Sequence, residues 1–194
     1  MGFLDAIRGR RDVAKPNLDA LFSLPNAAIT LQVEMDFLPT GSGSVAFRAP
    51  EGRAFADVES DVRQLLDADG GPAIEVVADD FGFDWMVVRT EPADVSALVT
   101  DLHAINSSLV DAGFGPQLLC SLVGFTDPTG RTLALVYLFK QGTFYPFAPK
   151  PDSDQRDNIL EMQVRDRLTL ELPMEPAMER WFAVWNAPGL AKAG

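Results

Sequence analysis

Nucleophilic chemistry in this sequence would have to rest on His103 and Cys120, because each is the only residue of its type. A catalytic thiol needs a base within hydrogen-bond reach, so a Cys–His device must bring these two together in one cleft. Neither sits in a recognisable nucleophile motif. His103 follows Leu102 at the edge of an apolar helical stripe, and Cys120 lies within the apolar run Gln117–Val123. They read as a helix-boundary histidine and a small buried hydrophobe. One cysteine also cannot close an internal disulfide or build a cysteine-based zinc site. The chain has no His-Glu-x-x-His helix for a metalloprotease.

The other polar clusters have simpler readings. Gly41-Ser-Gly43 is followed by a strand pattern and by no Lys-Ser or Lys-Thr, and Gly113-Phe-Gly115 comes after a helix. A phosphate cradle needs glycines that open a helix, with its amides toward the anion, so both read as turns. Asp79, Asp80 and Asp84 fall in one loop, but aromatic residues interrupt them and the twelve-residue calcium-loop spacing is missing. Asp152, Asp154 and Asp157 read as charges favourable to a helix N-terminus. With 28 acidic residues, coincidental carboxylate pairs are inevitable and mark no acid–base site. The expectation is a protein without catalytic, cofactor-binding or metal-binding residues.

The elements that would position these residues follow from periodicity and punctuation. Asn17 after Pro16 starts a short helix with Leu18, Leu21 and Phe22, and Pro25 ends it. Ala28–Met35 alternates, with Ile29, Leu31, Val33 and Met35 on one side, and predicts a half-buried strand. Thr40–Ser44 predicts a turn, and Val45–Arg48 the returning strand. Phe55, Val58, Val62, Leu65 and Leu66 mark an amphipathic helix that Gly70-Gly71-Pro72 stops. Ile74–Val77 and Trp85–Arg89 read as short strands, and Val95, Leu98, Val99, Leu102, Ile105 and Leu109 as the stripe of a long helix.

Asp127-Pro-Thr-Gly130 is hairpin-turn chemistry between Leu118–Phe125 and Arg131–Lys140, and Gln141-Gly142 turns again into Thr143–Phe147. Ile159, Met162, Val164 and Leu168 predict a helix, and Met178, Trp181, Phe182 and Trp185 a terminal one. Tight turns between strands and no regular β-α-β alternation predict an α+β fold. Its sheet is mainly antiparallel, built of hairpins with interleaved amphipathic helices and a helical C-terminus. Residues 1–15 form a short amphipathic and basic segment, and 16–190 one domain, with a boundary near 70–72 if it divides into two stacked halves.

Two surfaces invite a partner. Tyr137–Phe147 gathers Phe139, Phe144, Tyr145 and Phe147 around Lys140, either as an exposed aromatic face or as the floor for the C-terminal residues. Near the N-terminus, Phe3, Leu4 and Ile7 share a helical face and are followed by Arg8, Arg10 and Arg11. That pattern suits an amphipathic foot on a membrane surface or partner, or a start that folds back on the domain.

The chain of 194 residues is 47% hydrophobic and 23% charged, which is enough apolar material for a core. Its net charge of −12 argues against nucleic acid as a partner, since phosphate neutralisation needs a basic footprint. No apolar stretch approaches the roughly 18–20 residues of a membrane-spanning helix. The opening apolar residues precede their basic cluster, the reverse of a secretory signal, so the expected place is the cytoplasm.

Several blocks carry a family resemblance. Met1-Gly-Phe-Leu-Asp, Lys15-Pro-Asn-Leu-Asp-Ala-Leu-Phe22, Phe81-Gly-Phe-Asp-Trp85 and Asp127-Pro-Thr-Gly-Arg131 resemble the actinobacterial PspA-associated protein family PspAB. So do Leu138-Phe-Lys-Gln-Gly-Thr-Phe-Tyr-Pro-Phe147, Arg156-Asp-Asn158, Leu172-Pro173 and Arg180-Trp-Phe182. The long block around Lys140 is the most specific, and the blocks run nearly from end to end. The resemblance implies an accessory of the phage-shock envelope stress response, at the inner face of the cell membrane. Its implied companions are the coiled-coil protein PspA, the protein PspAA and a membrane protease of the HtpX type. No catalytic residues come with the resemblance. The expected role is a non-enzymatic adaptor; the alternative is a chaperone-like α+β module binding an unfolded or secreted client protein, by analogy with acidic secretion chaperones of similar plan.

Overall fold

The computed structural model describes residues 16–48, 56–57, 60–64, 74–79, 81–151 and 153–190. Six strands form one antiparallel sheet: β1 (Leu38–Phe47), β2 (Glu75–Ala78), β3 (Asp84–Arg89), β4 (Leu118–Thr126), β5 (Thr132–Leu138) and β6 (Thr143–Phe147), in the order β2-β3-β1-β4-β5-β6. This is the expected α+β class. Among the described residues the helices include α1 (Leu24–Met35), α2 (Val95–Asp111) and α3 (Asn158–Leu168), with a 3-10 helix at Leu18–Ser23 leading into α1, and residues 60–64 are also helical.

The β4–β5–β6 meander follows from local chemistry. At its first turn the Asp127 carboxylate accepts the amides of Thr129 and Arg131 (3.0 and 2.8 Å) and pairs with the Arg131 guanidinium at 2.7 Å. Burial alone would push this carboxyl up, but the bonds from Thr129 and Arg131 outweigh it and hold it below the usual carboxylate range. Asp127→Ala should therefore cost about 1–3 kcal/mol in urea unfolding at neutral pH. Because the folded pKa is depressed, this contribution is present above the unfolded value of 3.8 and fades as pH falls through the folded one. The variant and wild type should accordingly converge in acid; a constant gap down to pH 2 would contradict this account.

The sheet is covered on both faces, which explains why β5 is buried throughout, and apolar from Leu133 to Val136, instead of alternating. Leu133, Leu135 and Tyr137 face the helical layer, where Leu98, Leu102, Ile105 and Leu109 of α2 and Leu24, Ala27 and Leu31 of α1 join them. Ala134, Val136 and Leu138 face the other way, with Trp85, Val87, Leu122, Tyr145 and Phe147, onto residues 181–187. Helix α2 begins with Asp94, whose side chain accepts the Ala97 amide at 2.9 Å.

Three expectations are corrected. Ala28–Met35 is not a strand but most of α1. Its buried positions are Leu24, Ala27, Ala28 and Leu31, a three-and-four spacing that the small alanines conceal, whereas Ile29 and Val33 are 61% and 75% exposed. Pro25 opens this helix instead of ending the preceding one, since a first-turn amide has no intrahelical acceptor to lose. Second, Thr40–Ser44 is no turn. It lies inside β1, where the register against β4 shifts between Pro39 and Gly43. Gly41 has φ +73°, and a Cβ there would lie 2.3 Å from the Thr90 carbonyl oxygen, so glycine marks a close strand approach. The predicted first hairpin is thus absent, and β1 sits in the middle of the sheet.

Third, the terminal helix is reduced to a single 3-10 turn, Met178–Arg180; the residues after it run as an irregular strap across the second face of the sheet. Of the predicted helix between Phe55 and Leu66, residues 60–64 are helical and Val62 is buried. The Gly70–Pro72 boundary lies outside the described residues.

Candidate functional site: an apolar groove under the C-terminal strap

The second face of the sheet carries a transverse row of side chains in register: Trp85 opposite Ala46, Ala46 opposite Cys120, and Cys120 opposite Leu138. All four belong to the cluster on that face, so their side chains share it. They form part of the lining of a half-open groove of about 630 Å³. Phe81 and Phe83 of the β2–β3 turn stand at one end, Lys140, Gln141 and Arg180 at the other, and Phe182–Trp185 of the strap form the long wall. Phe81 is 69% and Phe182 45% exposed, so two of the lining rings are uncovered.

The strap is held by a polar framework. Glu175, nearly inaccessible, accepts from the Thr143 hydroxyl (2.6 Å), the Ala177 amide (3.0 Å) and Arg180 (3.2 Å). Its own amide donates to the Phe144 carbonyl at 2.7 Å, and the Phe144 amide to Pro173 at 2.8 Å, so the strap also covers the β6 edge. Trp181 stacks on Tyr145 (5.9 Å) and Trp185 meets Phe147 edge-on (5.0 Å). The Tyr145 hydroxyl donates to the Phe182 carbonyl at 2.9 Å.

Arg156 joins three elements. It pairs with the buried Glu161 of α3 at 2.8 Å, donates to the Trp181 carbonyl, and lies 5.1 Å over the Phe147 ring. Further along, Ser44 donates to the Pro188 carbonyl at 2.6 Å. A Cβ on Gly124 would meet the Gly189 carbonyl oxygen at 2.6 Å, so only glycine lets the strap lie this close.

The turn at the aromatic end accounts for one of the acidic clusters. Asp79 accepts the amides of Phe81 and Phe83 and the indole N–H of Trp85, at 2.8–2.9 Å. Burial opposes its ionisation, but the Trp85, Phe83 and Phe81 bonds outweigh it and hold the carboxyl below its usual range. The Asp79 carboxylate therefore organises the loop. Asp157 is the N-cap of α3, accepting the Leu160 amide at 3.1 Å. Asp80 and Asp152 lie outside the described residues.

His103 and Cys120 do not meet. His103 projects from α2 in the helical layer, its ring tilted 36° against Phe22 (4.8 Å between centroids) and 3.6 Å from Asp19. Cys120 points to the opposite face of the sheet, and burial pushes its thiol up to about 12. The sheet itself separates them.

Of the aromatic block, Phe139, Phe144, Tyr145 and Phe147 are buried, Phe139 and Phe144 toward the helices and the other two under the strap. Lys140 is exposed at the groove mouth. Phe3, Leu4, Ile7, Arg8, Arg10 and Arg11 lie outside the described residues. Periodicity did not single out Ala46, Trp85, Leu138, Phe81 or Val184 as lining one groove. The signal available was the apolarity of β4 and β5 on both faces, which demands a second covering layer that the helices alone do not supply.

These features define the class: an α+β protein with a six-stranded antiparallel sheet, helices on one face, and on the other a strap bordering an apolar groove. The family model for PspA associated protein B, PspAB, matches residues 1–189, and the chain belongs to that family. No curated protein and no solved structure matches it. Among the described residues, no helix is long and apolar enough to cross a membrane.

Proposed function

We propose that this protein is a non-enzymatic accessory of a phage-shock-type envelope stress response, working through protein contacts made at the groove. One observation supports this above the rest. Of the groove's polar side chains, Asp79 and Arg180 are engaged in holding the turn and the strap, while Phe81, Phe182 and Lys140 remain presented at its rim. An arrangement of rigid apolar surface with a cation at one end suits recognition. The family's name supplies the first candidate partner, a PspA-type protein. PspAA-type and HtpX-type proteins are further candidates, reached at the inner face of the membrane. In this reading Phe139, Phe144, Tyr145 and Phe147 hold the groove in shape from beneath and Lys140 touches the partner. The segment Phe3, Leu4, Ile7, Arg8, Arg10 and Arg11 adds contact with anionic lipid or with the partner.

The experiment is calorimetric titration of the purified chain with a purified PspA-type protein, with and without anionic vesicles. Saturable binding is expected, with residues 1–11 needed only for co-sedimentation with vesicles. Absence of binding under both conditions would overturn the accessory reading. The exposed rings also favour a chaperone-like role. That alternative predicts capture of many unrelated apolar peptides on an array and no preference for the PspA-type protein.

A further inference from the structure

We propose that the groove is a docking site for this chain's own N-terminal residues, with Phe3, Leu4 and Ile7 packed against the exposed rings of Phe81 and Phe182. A partner must then displace this segment to reach the groove, and on that point alone the proposal rests on the accessory reading above.

Accessibility defines what an occupant touches. The sheet residues Trp85, Ala46, Cys120 and Leu138 are buried already, so new contacts are made at the rim. There Phe81 and Phe182 are exposed, and Phe83, Leu119 and Trp185 are partly so. Uncovered rings that line one groove are a surface for other apolar side chains.

Position and charge select the occupant. Asn17, at the start of the described chain, lies against the β5–β6 turn, where a Cβ on Gly142 would be 3.5 Å from the Asn17 nitrogen. Gly142 directly follows Lys140 and Gln141 at the groove mouth. The sheet between Leu138 and Trp85 is three strand spacings wide, about 14 Å. From Asn17 back to Ile7 the chain reaches up to about 33 Å, so Ile7 comes to the rings with Phe3 and Leu4 beyond it. A segment tethered this closely is present at an effective concentration on the order of 1 mM, which keeps even a weak contact occupied. It also carries Arg8, Arg10, Arg11 and Lys15 against Asp5 and Asp12, whereas the whole chain carries −12. A basic segment is thus drawn onto an acidic body.

The test is limited trypsin digestion of the full chain, with cleavage after Arg8, Arg10 and Arg11 followed by intact mass. Wild type is compared with Phe81→Ser, Phe182→Ser and, on the helical side of the sheet, Phe22→Ser. All three substitutions alter exposed rings, and Phe22 lies beside His103. Where a segment leaves and returns faster than it is cut, the cleavage rate follows its uncovered fraction. Phe81→Ser and Phe182→Ser should each accelerate cleavage at these sites by about fivefold or more, and Phe22→Ser should leave it unchanged. A variant that merely unfolds is cut throughout the chain, which the masses distinguish.

Equal rates in wild type, Phe81→Ser and Phe182→Ser overturn the proposal. So does acceleration by Phe22→Ser alone, which would place the segment on the helical layer. Titration with the purified PspA-type protein separates the two levels. If that protein binds while the groove substitutions leave cleavage unchanged, the docking falls and the accessory reading stands. If they accelerate cleavage and the PspA-type protein does not bind, the docking stands and the accessory reading falls.

Discussion

Arg156→Met should lower stability by about 3–5 kcal/mol, the usual cost of leaving the partner of a buried ion pair uncompensated. For a chain of this size that is a fall in Tm of roughly 6–20 °C. Methionine retains much of the apolar stem, so the loss is mainly one of charge and hydrogen bonds. Glu161 is 2% exposed, and without Arg156 its carboxylate keeps, among the described residues, only the bond from the Ala148 amide at 2.9 Å. The Trp181 carbonyl loses its donor at the same time, which loosens the start of the groove wall.

Glu161→Gln in the Arg156→Met background should restore part of the loss, because it removes the stranded charge. The pH dependence gives an independent check. Burial raises the Glu161 pKa above its ordinary value even with Arg156 and Ala148 offsetting part of the effect. Removing Arg156 raises it further. A raised folded pKa means that the folded state holds the proton longer than the unfolded state. Stability gained by protonation is therefore full below the ordinary glutamate value and is lost as pH rises through the folded one. The variant's deficit should be smaller at pH 5 than at pH 7. A deficit under about 1 kcal/mol at pH 7 would show that Arg156 is not the link between strap and helix described here.

The thiol of Cys120 should react with dithiobis(nitrobenzoate) at pH 8 about a thousandfold more slowly in the folded protein than in urea. Its folded pKa is about 12 against a reference of 9.0. At pH 8 the thiolate, which is the reacting species, then falls from about one molecule in ten to about one in ten thousand. Burial slows access further, since the thiol lies in the floor between Ala46 and Leu138. A ratio below about tenfold would mean that the groove floor opens readily.

The same burial has an alkaline consequence. Cys120, Tyr137 (pushed up to about 12) and Tyr145 all hold their protons more tightly when folded, each first through burial. Their contribution is intact below the unfolded pKa values of 9.0 and 10.0 and is lost as pH rises through the folded ones. Unfolding free energy should therefore decline above about pH 9.

What the sequence determined by itself is the part of this protein that short-range physics controls. The Asp127–Gly130 turn, the β4–β5–β6 meander, the stripe of α2 and the acidic start of α3 were all legible, because each depends on residues a few positions apart. So was the concentration of aromatic side chains between Tyr137 and Phe147. The tertiary structure alone decided the rest. Alternation in Ala28–Met35 fits a strand as well as a helix that exposes Ile29 and Val33, and only packing of Leu24, Ala27 and Leu31 on the sheet selects the helix.

Gly41 and Gly43 read as a turn until β1 is seen between β3 and β4, where close backbone approach demands glycine. Trp181 and Trp185 keep helical spacing, yet contacts with Tyr145, Phe147, Arg156 and Glu175 draw that segment out as a strap. The groove is the extreme case. Its floor joins four strands whose residues are far apart in the chain, so no local pattern encodes it, and it exists only once the sheet has assembled and the strap has covered half of it.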